Sequence, residues 1–215
     1  MSQGGLTVIV DYGVGNLRSV AKSVSQYIDS WIITEEAGII LSADRLILPG
    51  VGAFGAGMNG LKIRGLIEPI KQFARTGKPM LGICLGAQLL FERGEEFGPR
   101  PGLGIIKGKV VKLQPTEKNV KVPQIGWNKI AAPAPGKWPE IIFQSPEREP
   151  MMYFVHSYIF EPTESQVILA TSVYGGQKFC SAVRQGNIYG CQFHPEKSGE
   201  AGVTIIRHFV NLQNG

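Results

Sequence analysis

An α/β domain is the class this sequence predicts: a central, mostly parallel sheet with helices on both faces, and an additional antiparallel or mixed sheet in the second half. Three observations predict it. Short apolar runs at residues 6–10, 31–34 and 45–48, and a fourth opened by Lys78-Pro79, have the texture of buried parallel strands. Helix-forming stretches separate them, and that βα alternation calls for a parallel sheet. From Ile105 onward the chain changes to short β-type runs parted by turns. The 215 residues are 43% hydrophobic and 18% charged, which suits one globular domain spanning 1–215.

The first strand, 6–10, runs into a tight loop, Asp11-Tyr12-Gly13-Val14-Gly15-Asn16. Asn16 is placed to cap a helix over 17–28, whose apolar Leu17, Val20, Ala21, Val24 and Ile28 keep helical spacing. Strands at 31–34 and 45–48 follow, and then Pro49-Gly50-Val51-Gly52-Ala53-Phe54-Gly55. Those glycines satisfy G-x-G-x-x-G, but no acidic residue ends a strand about 20 residues on, so a dinucleotide site is discounted. A glycine-rich loop at a strand end can instead offer backbone N–H groups to an anion, or be a plain turn. A helix over 57–76, interrupted near 60–65, ends at Gly77. After the fourth strand, the segment from Ala87 to Gly94 has helix formers and no breaker. Residues 97–104 are rich in Gly and Pro and predict a loop. Strands are expected at 109–113, 120–125, 127–130, 152–155, 167–174, 178–184 and 188–193, with proline-rich connections at 133–139 and 146–150. A helix over 200–212, capped by Ser198, closes the order, and His208 on it reads as a surface or packing residue.

The net charge of +5 is scattered without a block of like charges, which argues for a solvated surface and against nucleic acid. Three cysteines without a close pair argue against a disulfide framework and for a reducing compartment. The histidines do not cluster with cysteines, which argues against zinc, and no other cofactor is implied. Leu6–Val10 is too short for a signal sequence or a membrane span, so the expectation is a cytoplasmic protein with no membrane partner.

The segment that carries chemistry is Gly82-Ile83-Cys84-Leu85-Gly86. Strand, sharp turn and helix in that order, with a nucleophile between small residues, is a nucleophile elbow in cysteine form. The following helix aims its positive end and free N–H groups at the sulfur, where negative charge and an oxyanion would be held. On these residues alone a buried structural cysteine is an equal alternative. A cysteine nucleophile needs a base, and His194 in Phe193-His194-Pro195-Glu196 is best placed among the three histidines. Pro195 keeps His194 extended, and residues two apart in extended chain face the same way, so Glu196 can orient the ring. His156 ends an apolar run without an adjacent carboxylate and ranks as substrate-adjacent at best.

Gly82-Ile83-Cys84-Leu85-Gly86-Ala87-Gln88 together with Phe193-His194-Pro195-Glu196 resembles the class I (triad) glutamine amidotransferases, a flavodoxin-like fold. Further blocks resemble, more narrowly, the glutaminase subunits of imidazole glycerol phosphate synthase, of histidine biosynthesis. These are the 11–16 loop, Leu48–Gly55, Val122-Pro123-Gln124-Ile125-Gly126-Trp127-Asn128, Phe154-Val155-His156-Ser157-Tyr158 and Gln192–Gly199. One departure is that Gln124 stands where this family often has His.

The resemblance implies a Cys84-His194-Glu196 triad that hydrolyses L-glutamine to glutamate and ammonia through a thioester. It implies an oxyanion hole from the backbone N–H groups of Val51 and Leu85. Gly52, Gln88, Glu96, Ser157 and Tyr158 match positions that hold the substrate glutamine. The partner implied is a cyclase subunit, a TIM barrel, which receives the ammonia in a heterodimer. Asn16, Arg18, Trp127 and Asn128 are the candidate contacts with it.

Overall fold

The computed structural model describes residues 5–133 and 149–212. Of the two expected proline-rich connections, only Pro133, Glu149 and Pro150 are among these; residues 134–148 lie outside the described residues. Four strands stand where the apolar runs predict them: β1 (Thr7–Val10), β2 (Trp31–Thr34), β3 (Arg45–Leu48) and β4 (Met80–Ile83). Between them run α1 (Leu17–Val24), α2 (Ala37–Ser42), α3 (Phe54–Ile63) and α4 (Ile67–Arg75). Asn16 caps α1, its side chain accepting from the Ser19 N–H at 3.4 Å. The break between α3 and α4 falls at Gly65, in the left-handed region at φ 66°. Helix α2 was not legible in the sequence: it has no side-chain cap and buries only Ile40.

The chain continues through α5 (Leu85–Leu89), β5 (Phe91–Gly94), β6 (Arg100–Pro101), β7 (Ile106–Lys112), β8 (Gln124–Lys129) and β9 (Met151–His156). It ends with β10 (Tyr158–Pro162), β11 (Ile168–Tyr174), β12 (Gln177–Gln185), β13 (Ile188–Cys191) and α6 (Gly199–Val210). The expected helix up to Gly94 is corrected. Only Leu85–Leu89 is helical, and the chain then turns into β5. The Leu90 carbonyl accepts the N–H groups of both Ile105 and Ile106, and Phe91 stacks on Phe160 with ring centroids 5.2 Å apart. Sheet pairing with β7 and burial of Phe91 thus override the helical preference of the segment. The two strands expected around Gly126 are one, β8; the glycine sits inside it at φ 130°. β10, unforeseen, pairs with β7 and β12. Within the expected 97–104 loop only Arg100–Pro101 forms a short strand.

Eleven strands form one sheet in the order β2-β1-β3-β4-β13-β12-β10-β7-β5-β6, with β11 paired to β12. The strands from β2 to β13 are mutually parallel, while β12, β10 and β7 continue the sheet antiparallel. β8 and β9 form a separate antiparallel pair. Alternate strand residues feed two cores. Val8, Val10, Leu46, Leu48 and Met80 pack with Ile40, Leu61, Ile70 and Phe73 of α2, α3 and α4. Ile9, Ile47, Leu81 and Ile83 pack with Val20 and Val24 of α1 and Ile206 and Phe209 of α6. Both faces of the parallel strands are therefore covered, which is why those strands read as continuous apolar runs.

Candidate active site

β3, β4 and β13 are neighbours, in register Leu48↔Gly82 and Gly82↔Gly190. Parallel strands bring their carboxyl ends to one edge, where ligands bind in open α/β sheets. The glycine-rich loop leaves β3 there, Cys84 leaves β4, and His194 follows β13.

Cys84 sits at φ 52° and ψ −111°, a strained conformation for a residue with a Cβ. Its N–H donates to the Cys191 carbonyl at 2.7 Å, so the sheet ladder holds the bend. The flanking glycines are required by contact: a Cβ on Gly86 would overlap the Leu48 carbonyl oxygen, and one on Gly82 would meet the Ala87 backbone at 2.7 Å. Leu85 lies just behind, and its N–H donates to the Gly50 carbonyl at 3.3 Å.

His194 is 2% exposed, and its Nδ1 lies 2.8 Å from Glu196 Oε1. A carboxylate only accepts, so Nδ1 carries the hydrogen and Nε2 is left for the cavity that His194 and Cys84 line together. Burial alone pushes the His194 pKa down. The hydrogen bonds to Cys84 and Glu196, and the charges of both, outweigh it and raise the pKa to about 9. Glu196 Oε2 has no hydrogen-bond partner among the described residues, so nothing but the imidazole competes for this carboxylate. Ser198 does not cap α6 with its side chain as the sequence suggested. Its hydroxyl donates to the His194 carbonyl at 2.6 Å and accepts from the Tyr153 N–H at 2.9 Å. The His194 N–H in turn donates to the Tyr153 carbonyl at 2.9 Å, which clamps the His194 turn to β9.

A cavity of about 290 Å³ opens at this point, walled by Val51, Gly52, Cys84, Gln88, Glu96, Ser157, Tyr158 and His194. Those are the residues the sequence singles out for chemistry and substrate, apart from Leu85 and Glu196, which stand behind Cys84 and His194. Pro123, Val155, His156 and Lys197 complete the wall. A larger cavity of about 520 Å³, bounded by Ser165 and Arg184, contains neither cysteine nor histidine. Glu96 Oε2 accepts from the Phe54 N–H at 2.7 Å, which ties the start of α3 to the pocket and leaves the other oxygen for a ligand. Gly52 takes φ 107°, a backbone shape that other residues rarely adopt.

His156 is buried, and its Nδ1 lies 2.9 Å from the Tyr158 carbonyl. Burial pushes its pKa down to about 4, so the ring is neutral and Nδ1 carries its one hydrogen, given to Tyr158. Nε2 must then accept. The Gln124 amide stands 3.2 Å away with its oxygen toward the ring, and the neutral tautomer calls for the amide turned over, its NH2 donating.

Of the expected partner contacts, Asn16 is taken up in capping α1, and Arg18 is exposed. Asn128 uses its side chain on the Val173 carbonyl and the Lys129 N–H. Trp127 is 53% exposed and lies edge-on to Tyr153. Gln192 opens the Gln192–Gly199 block, but the sequence gives it no role of its own. It is fully buried, and its amide lies 3.1 Å from Gln88 and 3.8 Å from the Cys84 sulfur. The available signal was a polar residue straight after the apolar strand Ile188–Cys191.

The chain is similar to known proteins over nearly its whole length. The family model for class-I glutamine amidotransferases matches residues 8–212. The chain is 46% identical over 209 residues to imidazole glycerol phosphate synthase subunit HisH 1 of Legionella pneumophila strain Lens, covering 95% of this chain and 98% of that one. It is 44% identical over 211 residues to subunit HisH of Syntrophotalea carbinolica, covering 96% and 100%. A solved structure of PurLQS from Thermotoga maritima superposes with a TM-score of 0.71 at 18% identity, covering 97% of this chain and 99% of that one, and shares the fold. With the match extending from the first strand to the end of the last helix, the chain belongs to the class-I glutamine amidotransferase family and, within it, to the HisH subunits of imidazole glycerol phosphate synthase.

Proposed function

We propose that the chain is the ammonia-producing subunit of a histidine-biosynthetic synthase and hydrolyses L-glutamine through Cys84, His194 and Glu196. The observation that carries this is one cavity lined by Cys84, His194 and Glu96, with the His194 ring held by Glu196 at 2.8 Å. His194 Nε2 takes the thiol proton, and the thiolate attacks the side-chain carbonyl carbon of glutamine. The oxyanion is received by the N–H groups of Val51 and Leu85. Collapse breaks the C–N bond, His194 gives its proton to the leaving nitrogen, and ammonia departs from a thioester. Water, deprotonated by His194, then attacks the thioester; glutamate leaves and the proton returns to sulfur. Glu196 stabilises the imidazolium at each stage, in keeping with the raised pKa of His194. Glu96 attracts the substrate ammonium, beside Gly52, Gln88, Ser157 and Tyr158.

The Leu85 N–H bonded to the Gly50 carbonyl supports a gated site. That donor is spent on the loop until the Gly50–Gly52 segment rotates, a motion that two glycines permit. Ammonia is mostly protonated in neutral water and is then not a nucleophile, so the product passes directly to a cyclase subunit in a cytoplasmic heterodimer. The β8–β9 pair supports a docking face for it. Ile125 opposite Val155 and Trp127 opposite Tyr153 form its outer side, with Ile125 64% exposed, and Val155 also lines the cavity. Single exposed apolar residues are ordinary, but a cluster at the mouth of a site marks an interface. The test is ammonia release from glutamine by the wild type and Cys84→Ala, with and without a cyclase subunit. Retained release in Cys84→Ala ends this reading; equal wild-type turnover with and without the partner ends the gating.

A further inference from the structure

We propose that Gln192 is a catalytic residue that holds an N–H against the Cys84 sulfur, and that the Tyr158 carbonyl dictates this orientation through Gln88. The inference rests on Cys84 being the nucleophile. A carbonyl oxygen only accepts hydrogen bonds. The Gln88 Nε2 therefore donates to the Tyr158 carbonyl, 3.3 Å away. The same nitrogen lies 3.1 Å from Gln192 Oε1 and gives it the second hydrogen. That leaves Gln192 Nε2, 3.8 Å from Cys84 Sγ, as the donor facing the sulfur.

Neither amide can turn over. Inverting Gln192 alone sets two NH2 groups face to face. Inverting Gln88 as well sets its oxygen against the Tyr158 carbonyl. In a pair this buried, Gln88 being 6% and Gln192 0% exposed, such a mismatch is costly. The polarity of the chain is thus fixed at one end by a backbone atom and delivered at the other to the reacting atom.

The direction matters because the two forms of Cys84 need different neighbours. The thiol can donate, and the Val155 carbonyl lies 3.8 Å from the sulfur to receive it. The thiolate can only accept, and Gln192 supplies the hydrogen. A donor fixed in place before charge develops stabilises the ionised form without reorganisation. The arrangement also uses both hydrogens of the Gln88 amide, so Gln88 can meet a substrate only through its oxygen and favours a donor such as an ammonium.

The test is the rate of Cys84 alkylation by iodoacetamide over a pH series, read by peptide mass mapping, in wild type, Gln192→Met and Gln88→Met. Below the alkylation midpoint, Gln192→Met is expected to react about tenfold more slowly, the scale of one charge-assisted hydrogen bond. Gln88→Met, which frees Gln192 to turn its oxygen to the sulfur, is expected to slow it about threefold. Both differences vanish at alkaline pH, where every thiol is ionised. Rates unchanged in both variants, or lowered equally at every pH, overturn the proposal. Should Gln192→Met fail to fold, Gln88→Met decides alone. Failure of the underlying reading is separate and shows as ammonia release that survives Cys84→Ala.

Discussion

Cys84 is held at φ 52°, a backbone shape that costs a residue with a Cβ about 1–3 kcal/mol. Glycine ordinarily lowers stability relative to alanine, but here it alone relieves the strain. Cys84→Gly is therefore expected to be more stable than Cys84→Ala by about 1 kcal/mol, in denaturant melts of the two variants. His156 gives a pH signature. Its pKa falls from 6.5 to about 4 on folding, so the unfolded chain takes up its proton first as pH drops. Stability from this residue is intact above about pH 6.5 and is lost as pH falls toward about 4, by at most about 1.4 kcal/mol per unit. Urea titrations across that range should show the slope in wild type and a flatter one in His156→Gln. At this scale the sequence was informative where chemistry imposes spacing, as with Cys84 between glycines and His194 two places before Glu196. It was silent on Gln192 and on the second task of Ser198, because a side chain's partners depend on which strands become neighbours.

Among elements, the elbow is the least tolerant. Alanine at Gly86 puts a methyl group onto the Leu48 carbonyl. The expected cost is about 3 kcal/mol or more, by chemical denaturation, with loss of ammonia release. The Ser198 clamp is gentler. Ser198→Ala strands the Tyr153 N–H and should cost about 1–3 kcal/mol. Loosening the His194 turn should also lower kcat about tenfold while KM changes little, which steady-state kinetics separates. Legibility here followed periodicity. Parallel strands buried on both faces announced themselves, and α6 was close to its predicted span, while α1 starts where expected but stops at Val24, four residues short. β5 did not, because Phe91-Glu92-Arg93 reads as helix until Phe160 and β7 are beside it. α2 did not, because its lone buried residue leaves no stripe to find.

For the molecule as a whole, strand order was the part the sequence withheld. Nothing local says that β13 lies between β4 and β12, yet that slot brings His194 to Cys84. Trp127→Ala, on the outer face of β8, is expected to weaken association with a cyclase subunit by tenfold or more in size-exclusion or titration experiments. Because Trp127 is half exposed, the melting temperature of the isolated chain should move little.

That late-filled slot has a consequence during translation. A ribosome releases the cysteine more than a hundred residues before the histidine, so the nascent sheet carries its sulfur beside a gap. Until β13 enters, the growing polypeptide presents the Cys84 sulfur without the His194 imidazole that the proposed chemistry needs, so glutamine hydrolysis is expected only once residues 188–196 have been made and seated.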